Sequence, residues 1–167
     1  MIKITLYVVP SSEYFNEIIN IVKNEVKTEN LVYVSLGRPY KYIMSRLNEE
    51  QIKTNNIFVI DCISKQASPL EEGSEKCIFL ESPENITELC IALNQAMKLL
   101  QGETTVLFDS LSILLIYNDD DMVGRFSNKI INCMRLNNIN SILIVLESDV
   151  DRRIVKVIES FVDEVIK

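Results

Sequence analysis

Short unbroken apolar runs alternate with amphipathic stretches along this 167-residue chain, and that alternation limits its fold more than any other feature. The runs cover residues 4–9, 31–34, 57–60, 77–80, 105–108 and 142–146. A strand with one wet face alternates apolar and polar residues. These runs do not alternate, and several are β-branched. They read as strands buried on both faces, the pattern of a parallel sheet covered by helices. Residues 161–166 alternate more and read as a last strand at an edge.

The stretches between them carry helical spacing. Residues 12–27 place Phe15, Ile18, Ile19, Val22 and Val26 on one face, with Ser11 and Ser12 as candidate N-caps. Residues 39–50 open on Pro39 and turn Tyr40, Ile43, Met44 and Leu47 inward. Asn85, with Glu88 three residues on, forms a capping box for 85–100, where Leu89, Ala92, Leu93, Ala96 and Leu100 recur at helical spacing. Residues 119–136 carry Met122, Val123, Phe126, Ile130, Cys133 and Met134, and 149–160 make a short final helix. Strand–helix alternation of this kind predicts one open α/β domain over 1–167, with a mostly parallel sheet flanked by helices. The insertion 62–76, with Pro69, Gly73 and a run of charges, is long for a compact domain and reads as a mobile or functional loop.

Composition removes several function classes. The chain has no histidine, hence no His-based triad, no imidazole base and none of the commonest transition-metal ligand. Cys62, Cys77, Cys90 and Cys133 form no CxxC pair, so they read as reduced core thiols; Cys62 has the best claim to exposure. Seventeen basic against twenty-four acidic residues give a net charge of −7, which predicts no general affinity for nucleic acid or an anionic membrane. The start of the chain reads as a first strand rather than a signal peptide, and no apolar run approaches a membrane span. The expected location is the cytoplasm.

Ligands of open α/β sheets bind beyond the C-terminal strand ends. Here those ends carry Pro10, Ser11 and Ser12; Ser35, Leu36, Gly37 and Arg38; Asp61; Asp109, Ser110 and Ser112; and Glu147 with Ser148. Four strand residues ending in an acid, as in "TVLFDSLS", match the pattern in which a strand-tip carboxylate holds a magnesium shell, and they also suit an Asp that merely caps the following turn. The runs Asn118–Asp121 and Asp149–Asp151 read as helix caps that complement the dipole. Tyr14 and Tyr40 are expected toward the core, Tyr42 at the surface, and Arg152 with Arg153 on a solvated helix face.

"VLFDSLSILLIYND" with "INSILIVLESDVDRRIVKVIESFVDEVIK" resembles the second half of KaiC-like and other RecA-type ATPase domains. There an Asp-Ser-Leu-Ser strand end precedes an antiparallel-looking "LLIY" region, a helix and a strand. "LVYVSLGRPYKYIMSRL" resembles their second strand and helix, and "IFVIDCIS" their third strand. The chain is similar to small archaeal members of that superfamily that lack the ATPase motifs. The resemblance implies a RecA-like domain, and with it self-association or docking on a partner.

The departures from the pattern decide the chemistry. A RecA-type ATPase needs GxxxxGK[ST] after its first strand, so that backbone N–H groups wrap the phosphates and the Lys reaches them. Here "VVPSSEYFNEII" has neither glycine nor lysine, and no Gly-Lys pair occurs anywhere. The family's water-activating glutamate after the second strand is replaced by "SLGRP". Only Asp109 remains, which argues against ATP hydrolysis by the usual route. The expectation is a non-catalytic binding module with no cofactor, partnered by a protein or by its own copies. Two alternatives stand beside it. One is a nucleotide sensor using Ser11, Ser12, Arg38, Asp109 and Ser110, with magnesium on Asp109. The other is a metal-dependent enzyme using the rim carboxylates Asp61, Asp109 and Glu147 beside Ser35. Against the sensor, Glu13 answers the first helix dipole and Pro10 removes an N–H.

Overall fold

The computed structural model describes residues 1–70 and 73–167. The strands are β1 (Ile4–Val9), β2 (Asn30–Ser35), β3 (Ile57–Asp61), β4 (Cys77–Phe79), β5 (Thr104–Asp109), β6 (Asn140–Leu146) and β7 (Glu164–Ile166). They form one sheet in the order β4-β3-β2-β5-β6-β1-β7, with every pairing parallel. The expected mixture is thus fully parallel, and the alternating 161–166 segment supplies an edge strand of three residues beside β1.

The helices are α1 (Tyr14–Glu25), α2 (Tyr40–Glu49), α3 (Ser64–Ala67), α4 (Ile86–Leu99), α5 (Leu111–Tyr117), α6 (Asp120–Leu136) and α7 (Arg153–Glu159). Alternate strand residues feed two separate cores. Val32, Val34, Val106, Phe108, Leu143 and Val145 pack with Leu89, Leu93, Leu111, Leu114, Phe126, Ile130 and Ile154 of α4 to α7. Leu31, Tyr33, Val59, Leu107, Ile142 and Ile144 pack on the other face with Phe15, Ile18, Ile43 and Leu47 of α1 and α2. Both strand faces are covered, which is why the runs are apolar without alternation.

Several helix boundaries follow a different logic from the one the sequence suggested. Ser11 and Ser12 cap nothing: they lie in a 3-10 turn, Ser11–Glu13, between Pro10 and α1, with no side-chain cap bond. Pro39 stands at the cap of α2, not inside it. Asn85 does cap α4, accepting the Glu88 N–H at 3.0 Å, and Asp119 caps α6 through the Met122 N–H at 2.7 Å. Met122 is exposed at 39%, not inward. The "LLIY" region is no strand; it lies in α5, whose Leu111, Ser112, Leu114 and Leu115 are all buried. The final helix starts only at Arg153, after a 3-10 turn over Glu147–Asp149.

The 62–76 insertion carries α3, with Ser74 and Cys77 bridged further on. Residues 71 and 72, within that expected loop, lie outside the described residues. Cys62 is fully buried, and burial raises its thiol pKa. The partly exposed thiols are Cys90 and Cys133 instead. Among the described residues no helix is long and apolar enough to cross a membrane.

Candidate functional site

Ser35 pairs in register with Asp61 on one side and with Asp109 on the other, so the tips of β3, β2 and β5 set Asp61, Ser35 and Asp109 in one row. All three are fully buried. Strand alternation sends these side chains to the α1/α2 face, the face of Tyr33. Each of the three is satisfied differently.

Asp61 serves backbone. Its Oδ1 accepts the Ile63 and Ser64 N–H groups at 2.8 Å each. Its Oδ2 accepts the Tyr40 N–H at 2.8 Å and the Ser64 hydroxyl at 2.5 Å. One carboxylate thereby ties the starts of α2 and α3 to the tip of β3. Ser35 closes the β2–α2 turn: its hydroxyl donates to the Arg38 carbonyl at 2.5 Å and accepts the Arg38 N–H at 3.3 Å.

Asp109 serves neither a helix cap nor a turn. Its Oδ1 accepts the hydroxyl of Tyr14, the first residue of α1, at 2.8 Å. Its Oδ2 accepts a short hydrogen bond from the buried Tyr33 hydroxyl. Burial pushes the Asp109 pKa up to about 6, although the two hydroxyls and the nearby Arg38 charge each pull it down. The same burial, with Asp109 close by, raises both tyrosines above their ordinary range.

Arg38 closes this arrangement from above. Its guanidinium carbon lies 5.7, 5.0 and 5.2 Å from the ring centres of Tyr14, Phe15 and Tyr42. That is within the range of a cation–π contact. Gly37 lets the β2–α2 turn come close: a Cβ there would meet Ile113 Cδ1 at 2.7 Å and the Tyr14 hydroxyl at 3.4 Å. Tyr42 is thus an exposed ring engaged by Arg38, and Tyr14 is a half-buried ligand of Asp109 rather than a plain core residue.

The remaining rim residues do not join the row. Ser11 and Ser12 are exposed, and Ser11 donates to Ser148 at 3.3 Å. Glu147 is exposed on its 3-10 turn. Ser112 accepts the Leu146 N–H at 2.9 Å and so fixes the β6 tip to α5. Ser110 is fully buried, and its hydroxyl has no hydrogen-bond partner. Among the described residues no group of three or more acidic or thiol side chains is placed to hold a metal ion. Asp61 and Asp109 share a row, and each oxygen of both accepts at least one hydrogen bond.

Tyr33 is the member of this candidate site that the strand ends do not mark. One signal was available. A tyrosine inside an otherwise apolar, doubly buried strand needs a partner for its hydroxyl. The partner, 76 residues away, is visible only once β2 and β5 are neighbours.

The chain belongs to a family of unknown function, DUF7504, whose model matches residues 21–167. No curated protein sequence matches it. Three solved structures share the fold across 98% of this chain. A KaiC-like protein, PH0186, from the hyperthermophilic archaeon Pyrococcus horikoshii OT3 superposes with a TM-score of 0.65 at 11% identity, over 69% of its own length. An uncharacterised protein, PH0321, from Pyrococcus horikoshii, solved with an unknown peptide, gives 0.65 at 12% identity over 76% of its length. A third structure, described as an ATPase domain, gives 0.57 at 14% identity over 68% of its length. The fold is the RecA/KaiC-like α/β fold.

Proposed function

We propose that this RecA/KaiC-like domain is non-catalytic and works as a binding or regulatory module, through self-association or docking on a partner protein. The observation that carries the reading is the state of Asp109. Its two oxygens are both taken by tyrosine hydroxyls, and it is 0% exposed. A hydrated magnesium ion keeps several waters and needs an open face of its carboxylate ligand. Asp109 offers none while Tyr14 stands over it, so the residues present do not fit that ion. The β1–α1 connection, Pro10 to Glu13, brings no glycine and no lysine toward phosphate.

The test is ATP turnover with magnesium. The reading expects no turnover above background and no change on Asp109→Ala. Robust turnover, lost in that variant, would overturn it.

One observation favours a second reading, a sensor that binds a nucleotide without hydrolysing it. The hydroxyl of Ser110, the residue after Asp109, is buried and unpartnered, and the Arg38 charge acts on Asp109. On that reading Tyr14 swings away as the ligand enters, and Arg38→Ala abolishes binding. Undiminished nucleotide binding by Arg38→Ala would remove this crevice as the site.

A further inference from the structure

Acids outnumber bases in this chain by seven, so a cation left without a partner is not short of carboxylates. The chain has six arginines. Arg38 lies over three rings, Arg46 pairs with Glu49, Arg135 with Asp163, and Arg152 with Asp120 and Asp149. The other two, Arg125 and Arg153, make no side-chain ion pair or ring contact among the described residues. Both line one groove, of about 540 Å³, between α6 and α7.

Apolar side chains line much of the rest of that groove. Ile154 is 8% exposed, Val157 is 38% exposed, and Phe161 is half-buried. Gly124 permits the close helix approach behind it, because a Cβ there would meet Ile154 Cδ1 at 2.8 Å. Two acids stand at the rim. Asp120 is held by Arg152 at 2.6 Å, and Asp121 lies in the first turn of α6, where the helix dipole favours it. Arginine presents a planar fork that takes a carboxylate bidentately, and it is enriched where proteins bind proteins.

We propose that the α6–α7 groove docks an acidic segment of a partner protein, with carboxylates on Arg125 and Arg153 and an apolar side chain over Ile154, Val157 and Phe161. Charge complementarity names the occupant. Of the four charged residues that line the groove, Asp120 is answered by Arg152, which leaves two arginines against Asp121. The groove lies on the α4–α7 side of the sheet, away from Tyr14 and Arg38, so the proposal stands whether or not the crevice at Asp109 binds a nucleotide.

The probe is a displayed library of random twelve-residue peptides, selected on the whole wild-type protein. Selected sequences are then synthesised and titrated against wild type, Arg125→Gln/Arg153→Gln and the control Lys129→Gln, with folding checked by circular dichroism. The expected result is a consensus of Asp or Glu around Leu or Phe. Binding falls by roughly tenfold or more in the double variant, stays unchanged in the control, and weakens with added salt. Selection without an acidic consensus, or equal binding by the double variant, overturns the proposal. So does a wild-type dimer in sedimentation that the double variant dissolves, because the occupant would then be a second copy.

Discussion

Asp61 and Asp109 end strands on either side of β2, each after a run of apolar residues, and each is fully buried. From sequence they look alike. In the fold they do opposite work. Asp61 accepts three backbone N–H groups and a hydroxyl, a set of donors that fills the lone pairs of a carboxylate and anchors two helix starts. Asp109 accepts only two tyrosine hydroxyls in an apolar setting, and its pKa is raised to about 6. The same residue type at the same register anchors two helix starts where it meets backbone, and where it meets two tyrosine hydroxyls its pKa is raised.

The largest expected effect is on the structural side of that comparison. Asp61→Ala strands the N–H groups of Tyr40, Ile63 and Ser64, at a cost of about 4 kcal/mol, or roughly 10 °C in Tm. Thermal unfolding followed by circular dichroism measures it. A shift below that of any Asp109 variant would erase the distinction between the two acids.

Next comes pH. The folded Asp109 pKa, about 6, lies above the unfolded value of 3.8, so between the two the folded state holds the extra proton. This group therefore adds stability as pH falls from above 6 toward 4, and withdraws it as pH rises through 6. The swing is about 3 kcal/mol as an upper figure. Denaturant titrations from pH 4 to pH 8 read it as the difference between wild type and Asp109→Asn. The variant gains on wild type as pH rises and loses that gain below pH 5. A flat difference would mean that Asp109 titrates normally.

Tyr33→Phe sharpens the same contrast. It leaves a buried carboxylate with one donor, at a cost of about 2 kcal/mol near pH 8, and a smaller cost at pH 4.5, where Asp109 is protonated. Equal destabilisation at both pH values would assign Tyr33 to packing alone. Ser110→Ala is the mildest change. It removes a buried hydroxyl without a partner and is expected to be neutral, or stabilising by up to about 1 kcal/mol.

The sequence carried the sheet because a strand buried on both faces leaves an unbroken apolar mark, and the edge strand 164–166 showed itself by alternating. It misled at α5. There Ile113 to Ile116 form a continuous apolar run, yet Ile116 is 75% exposed and the segment is helical. Periodicity cannot separate a short helix packed on several sides from a buried strand. The candidate site was half legible. Asp109, Asp61, Ser35 and Arg38 were found because strand ends are readable. What each touches was not, since Tyr14 and Tyr33 reach Asp109 across 95 and 76 residues of chain. Ser11, Ser12 and Glu147 were named for their place in the chain, and the fold leaves them at the surface.

The central claim is that Asp109, at the tip of β5, is closed over by the chain's own tyrosines. Thermal unfolding against a panel of nucleotides, with and without magnesium, tests it most directly. A ligand at about 100 times its dissociation constant adds roughly 2.7 kcal/mol, a rise of several degrees for a chain of this size. The account predicts no rise with any nucleotide. A rise of several degrees that disappears in Arg38→Ala would contradict it and make the crevice a sensor.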